Sequence, residues 1–355
     1  MRNFTLIVIW VLAAPALAGE PKWTLDVNLN GRHIEGLPLV WSQDHVLLAR
    51  DGRVWNFKPD EVRNVHQTSA TFQGYSAAQV RARLAAELGN AFEISGTGHY
   101  LVAHAPGQRD YWSKRFEDLY RSFVHYFKVR GFGLVEPEFP LVAIVFRNQD
   151  DFLSYARREG AQIGPQVLGY YSPISNRISL FDQGGGRASA DDWQANAATI
   201  IHEAAHQTAF NTGVHRRFGA APRWLVEGLG TMFEAPGVCD STHYSTLPSR
   251  YNRGRLAQFQ RLLPSRPENS LKEYLAGDSL FQSNVDRAYA EAWALSFFLV
   301  ETRHKKYSEL LARTAARPAF ARYDAADRLA DFTAIFGGNL RHLEAEYLQF
   351  MSQQR

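Results

Sequence analysis

The sequence predicts an α+β fold in three successive parts: a small β-rich module, a sheet-and-helix segment, and a helical segment. Three observations predict it. Strand-like runs punctuated by Asp51-Gly52 occupy residues 20 to about 66. From Ser76 helical and strand-like runs take turns, and after the Gly184-Gly185-Gly186 run helical spacing continues nearly to the end. The expected divisions are 1–18, a signal peptide; 19–66, the β module; 67–190, the α+β sheet part; and 191–355, the helical part.

The elements follow in order. Trp23-Thr24-Leu25-Asp26-Val27, His45 to Ala49 and Val54 to Phe57 are expected strands, the last two joined by a tight turn at Asp51-Gly52. Ala78 to Leu88 is a helix capped by Ser76 and stopped at Gly89. Ala91 to Ile94 and His99 to Ala103 are a strand pair around Gly96-Thr97-Gly98. Tyr111 to Val129 carries Phe116, Leu119, Tyr120, Phe123 and Phe127 at helical spacing. Leu141 to Phe146 is a buried strand and Asp150 to Arg157 a short helix. Gly169 to Tyr171 and Arg177 to Phe181 are strands joined by a turn containing Pro173. Helices are expected around 191–211, 222–234, 285–303 and 339–353.

Composition narrows the function classes. Hydrophobic residues make up 45% of the 355 and charged residues 21%, an ordinary globular balance for roughly two domains. Thirty-nine basic against 36 acidic residues leave a net +3 without a block of like charges, which excludes a strongly basic nucleic-acid binder. Arg2, the apolar run Phe4 to Ala14 and Ala16-Leu17-Ala18 have the layout of a cleavable signal peptide. The run is shorter than the roughly 20 residues a membrane span requires. No later stretch reaches that length without a charge, so a periplasmic or secreted protein is expected, with no transmembrane segment after cleavage. Cys239 is the single cysteine, so folding rests on core burial or a metal and not on disulfides.

His202-Glu203-Ala204-Ala205-His206 is an H-E-x-x-H motif inside the apolar helical stretch Asp192 to Phe210. Positions i and i+4 project from one helix face about one turn apart, so two imidazoles at this spacing can bind one Zn²⁺. The glutamate beside the first histidine can reach a water on that ion. The longer H-E-x-x-H-x-x-G-x-x-H pattern fails, with Ala209 and Thr212 at its glycine and third histidine. Twenty residues separate His206 from Glu227, which lies in the apolar segment Pro222 to Leu229. That gap allows a loop and the return of a second helix, and a buried glutamate there suits a third ligand. Two histidines and a glutamate with an open fourth position are a catalytic zinc arrangement.

These residues resemble the gluzincin metallopeptidases, the group of thermolysin and the zinc aminopeptidases. Trp224-Leu225-Val226-Glu227-Gly228 is similar to the aminopeptidases' W-L-x-E-G segment. From about Ser76 to the end, including Tyr289 to Leu295, the chain looks like bacterial exported proteins with a peptidase-MA-like domain of unknown function. The resemblance implies a zincin-like domain: a mixed sheet, an active-site helix and a helical subdomain. It implies that His202, His206 and Glu227 hold one catalytic zinc, that Glu203 is the general base, and that a peptide or protein is the substrate. The aminopeptidases' G-x-M-E-N signature is absent, which favours an endopeptidase.

The group usually supplies a tyrosine or histidine opposite the base. Tyr289 is the first candidate, with His243 and Tyr244 behind it; a core tyrosine beside Trp293 is the alternative. Arg177 to Phe181 stands where the group places a substrate-pairing edge strand, with an ordinary structural strand as the alternative. Tyr170 and Tyr171 are candidates for the cleft wall or for packing, Gly184 to Gly186 for a lid or a linker. His215, Arg216 and Arg217 are expected in solvent. A non-catalytic envelope binding or scaffolding protein is the alternative function, its zinc structural or vestigial. Cys239 as a fourth ligand would mark a structural site.

Overall fold

In the computed structural model, which describes residues 23–108, 111–184 and 190–354, the chain opens as an antiparallel meander. β1 (Thr24–Leu29), β2 (Arg32–Trp41), β3 (His45–Ala49), β4 (Val54–Phe57) and β5 (Val62–Ser69) form one sheet in the order β4-β3-β2-β1-β5. Asn30 and Gly31 both take positive φ, the geometry that turns a two-residue hairpin with the twist of its strands. Alternation places Leu25, Val27, Leu29 and Ile34 on one face with Leu47, Ala49 and Phe57. β2 and β5 complete the three strands expected from sequence, and β5 runs to Ser69, past the expected boundary at 66. It is an exposed edge strand, so it lacks an apolar alternation to reveal it. The proposed signal peptide lies outside the described residues.

The second sheet is mixed. α1 (Ala77–Leu88), β6 (Glu93–Gly96), β7 (Tyr100–His104), α2 (Tyr111–Lys128), β8 (Leu141–Phe146), α3 (Gln149–Arg158), β9 (Gly169–Ser172) and β10 (Arg177–Phe181) follow one another. The strand order is β6-β7-β8-β10-β9, with β7, β8 and β10 parallel and β6 and β9 antiparallel to their neighbours. β8 is buried on both faces, which explains its unbroken apolar run. Leu141, Ala143 and Val145 meet Trp112, Phe116 and Tyr120 of α2, while Val142, Ile144 and Phe146 meet Phe152 and Tyr155 of α3. Arg177 to Phe181 is therefore not the edge expected from sequence. The turn at Pro173 folds β9 back along the outer side of β10, and β9 becomes the edge.

The remainder is helical: α4 (Ala190–Asn211), α5 (Arg223–Phe233), α6 (Pro236–Cys239), α7 (Arg253–Leu262), α8 (Ser270–Ala276), α9 (Leu280–Ser283), α10 (Val285–Ala315), α11 (Ala325–Phe336) and α12 (Leu340–Ser352). Asn252, Asn284, Asp324 and Asn339 cap four of them by accepting a backbone N–H. α10 breaks at Arg303, whose φ of −143° and ψ of 40° end the limb expected over 285–303. α4 is sandwiched: Ile200 and Ala204 face the sheet and α2, while Ile201, Ala205 and Ala209 join the core around α5 and α10. No described helix is long and apolar enough to cross a membrane.

α5 and α10 meet backbone to side chain. A Cβ on Gly228 would stand 2.1 Å from Ser296 Oγ and 2.5 Å from the Ala292 carbonyl oxygen. The Ala292 carbonyl belongs to a rigid helix and cannot yield. Gly228→Ala should therefore lower stability by about 1–3 kcal/mol despite alanine's better helix propensity, read as a lower urea midpoint at unchanged slope.

Candidate metal centre

His202 and His206 project one turn apart from α4, and Glu227 reaches them from α5. The two histidine Nε2 atoms are 2.9 Å apart, and Glu227 Oε2 lies 3.4 Å from the first and 3.6 Å from the second. These sides average about 3.3 Å, the edge of a tetrahedron whose arms are about 2.0–2.1 Å, the length of zinc bonds to nitrogen and oxygen. All three side chains are buried, with exposures of 1%, 0% and 0%. Neither Glu227 oxygen makes a hydrogen bond, and His206 Nδ1 has none either. Buried carboxylate oxygens without a hydrogen-bond partner, one of them beside two imidazole Nε2 atoms, fit a cation between them. Among the described residues this is the group of histidine, cysteine and acidic side chains able to hold a metal ion. Cys239 is not part of it.

The buried charges of the centre act strongly on one another. Burial opposes the charge on Glu227, but its contacts with His202 and His206 win and hold the carboxyl far below its usual range. Burial pushes His202 down, yet Glu227 and Glu234 outweigh it and raise the imidazole to about 10. His206 is lowered by burial and by the charge of His202. Glu203, also buried, is pushed up to about 7, mainly by loss of water. Its Oε2 accepts the backbone N–H of Tyr171 on β9 at 2.7 Å. That bond ties the carboxylate to the edge strand.

Sequence reasoning missed two supporting residues. Glu234 Oε1 lies 2.8 Å from His202 Nδ1, and its Oε2 accepts from Asn252 Nδ2 at 2.7 Å. A carboxylate on the far ring nitrogen fixes both tautomer and ring orientation of a ligand histidine. The available signal was the spacing: Glu234 follows Glu227 by seven residues, two helical turns along one face. Gly230 lies on that face as well. A Cβ there would stand 2.9 Å from both His202 Cε1 and His206 Cε1, so only glycine lets α5 lie against the two rings.

Tyr289 lies on α10, fully buried, and interacts with Glu227 and Arg223. Burial and the Glu227 charge hold its hydroxyl well above the ordinary range. Arg223 Nε is 3.6 Å from Glu227 Oε1. His243 and Tyr244 are exposed, and His243 pairs with Asp240 at 2.7 Å. Tyr170 and Tyr171 pack in the interior. The expectation of a solvated connection between the ligand helices is corrected. His215 is buried against Phe210 and pushed down to about 3 by loss of water and the charge of His206. Arg217 turns its guanidinium onto backbone carbonyls. Most of the Gly184 to Gly186 run lies outside the described residues.

Residues 196–321 match the family described as "Protein of unknown function (DUF1570)". The matched segment contains both histidines, Glu203, Glu227, Gly230, Glu234 and Tyr289. None of the curated proteins matches the chain.

Removing the outer carboxylate or filling the glycine gap should weaken metal binding without removing a ligand. Glu234→Ala and Gly230→Ala should each lower zinc affinity by about 10–100-fold in a chelator competition. Wild-type affinity in both variants would show that neither residue holds the histidines in place.

Proposed function

We propose that the protein is an exported zinc-dependent peptidase, acting as an endopeptidase on peptide or protein substrates. The observation that carries this reading is the three-ligand triangle with Glu203 beside it. Three protein ligands leave a tetrahedral ion one open position, as catalysis needs and as a structural site does not. A zinc ion held by His202, His206 and Glu227 would polarise the scissile carbonyl and acidify water at the site.

The chain's own residues supply the rest. Glu203 Oε2 is committed to the Tyr171 N–H. Its other oxygen is the one to take a proton from the attacking water and pass it to the leaving nitrogen. Glu234 holds His202 in the tautomer that presents Nε2 to the metal. Tyr289 and Arg223 flank Glu227 and orient the ligand carboxylate; the Tyr289 hydroxyl is the one we assign to offer developing oxyanion charge a hydrogen bond. A peptide or protein is the substrate that the resemblance to the gluzincin metallopeptidases implies, and the zinc ligand set with Glu203 beside it suits hydrolysis of an amide bond. The signal-like residues 1–18 support a periplasmic or secreted location.

The first experiment is zinc content of the purified protein beside Glu203→Gln and Glu227→Ala. About one zinc per chain is expected in the wild type and in Glu203→Gln, and a large loss in Glu227→Ala. Hydrolysis of a fluorogenic peptide library should fall by at least about 100-fold in Glu203→Gln. A folded wild type that takes up no supplied zinc would sink the peptidase reading.

A further inference from the structure

The turn between β9 and β10 is held from two sides. On one side, α4 grips its last residue. Asn176 sits in the left-handed region at a φ of 57°, and its carbonyl accepts from Gln207 Nε2 at 2.8 Å. Its side chain exchanges hydrogen bonds with Asn211 and accepts the Tyr171 hydroxyl at 2.8 Å. On the other side stands Arg217, from the connection between the two ligand helices. Its Nε donates to the Pro173 carbonyl at 2.6 Å, and its Nη2 donates to the carbonyls of Gly52 at 2.6 Å and Ile174 at 3.0 Å. The N-terminal sheet adds the Val54 N–H, which donates to the Ile174 carbonyl at 2.8 Å. Next to Arg217, Phe218 packs with Phe320 against the apolar patch of Val46, Leu48 and Val54.

One guanidinium thus joins three parts of the chain: the β3–β4 turn of the N-terminal sheet, the turn that ends β9, and the α4–α5 connection. Its planar fork suits three converging carbonyls; an ammonium could not reproduce that geometry. Two residues before this turn, the Tyr171 N–H holds Glu203.

We propose that Arg217 is a positioning residue that braces β9 against the N-terminal sheet and so sets where the Tyr171 N–H meets Glu203. The N-terminal sheet is then a structural part of the active centre and not a separate recognition module. This role rests on the reading of Glu203 as the base. Arg217 touches neither the metal ligands nor Glu203, so its loss separates the position of the base from the binding of metal.

The test uses the full zinc-loaded protein with Arg217→Met and Arg217→Lys. Amide exchange at Tyr171, zinc affinity by chelator competition, and kcat and KM on a fluorogenic peptide are compared with wild type. In Arg217→Met, Tyr171 exchange should accelerate by at least about 10-fold, the amount expected when a local brace is lost. Its kcat should fall by about 10-fold or more with KM and zinc affinity within about two-fold of wild type. Arg217→Lys, which keeps the charge and most of the packing, should recover part of both losses and serves alone if the methionine variant does not fold. Unchanged Tyr171 exchange in either folded variant, or a parallel loss of zinc, would overturn the brace. The exchange measurement needs no turnover, so its failure is distinct from hydrolysis persisting in Glu203→Gln, which would overturn the base instead.

Discussion

Two imidazoles and a carboxylate lie within 3.6 Å of one another, all three buried. Such groups are costly to bury unless something of opposite charge or matching geometry meets each of them. Much of the helical half answers this demand. Glu234 meets the back of His202, Arg223 faces Glu227, and the point where three ligand atoms converge suits a cation. Asn252 holds Glu234 while capping α7, so the start of that helix is tied to the centre.

α5 makes this possible by presenting different faces to its two neighbours. Residues three and seven positions beyond Glu227 share its side of the helix, so Gly230 and Glu234 face α4 with it. Gly228 is two positions from Gly230, about 200° around the axis, and faces α10. Glycine at both contacts lets three backbones stack with side chains only where chemistry or packing uses them. The mixed sheet contributes through its edge: β9 brings a backbone N–H to Glu203, and its turn is anchored to α4 and to the N-terminal sheet.

Several parts of this arrangement were legible without coordinates because they are local. The i,i+4 histidines need only one helix, and the apolar segment around Glu227 marks it as a carboxylate destined for the interior. The apolar runs of β3, β4 and β8 and the helix capped by Ser76 read correctly for the same reason. β5 was invisible because an exposed edge strand carries no apolar stripe. Arg177 to Phe181 was misplaced because sheet order depends on which side of β10 the hairpin folds to, and no residue in the strand encodes that. His215, Arg216 and Arg217 were expected in solvent because a short polar run between helices usually lies there; His215 and Arg217 instead turn inward.

The amino-acid sequence by itself determined the α+β order of elements, the helix that carries His202, Glu203 and His206, and the candidacy of Glu227, since these follow from periodicity and charge over a few turns. Tertiary structure alone decided that Glu227 and the histidines converge, that Glu234 and Gly230 serve them, that Tyr171 holds Glu203, and that Arg217 ties the N-terminal sheet to the edge strand. Each of those pairs is separated by about 20 or more residues or joins different layers. Their meeting depends on how whole helices and strands pack, and no short window of sequence records that.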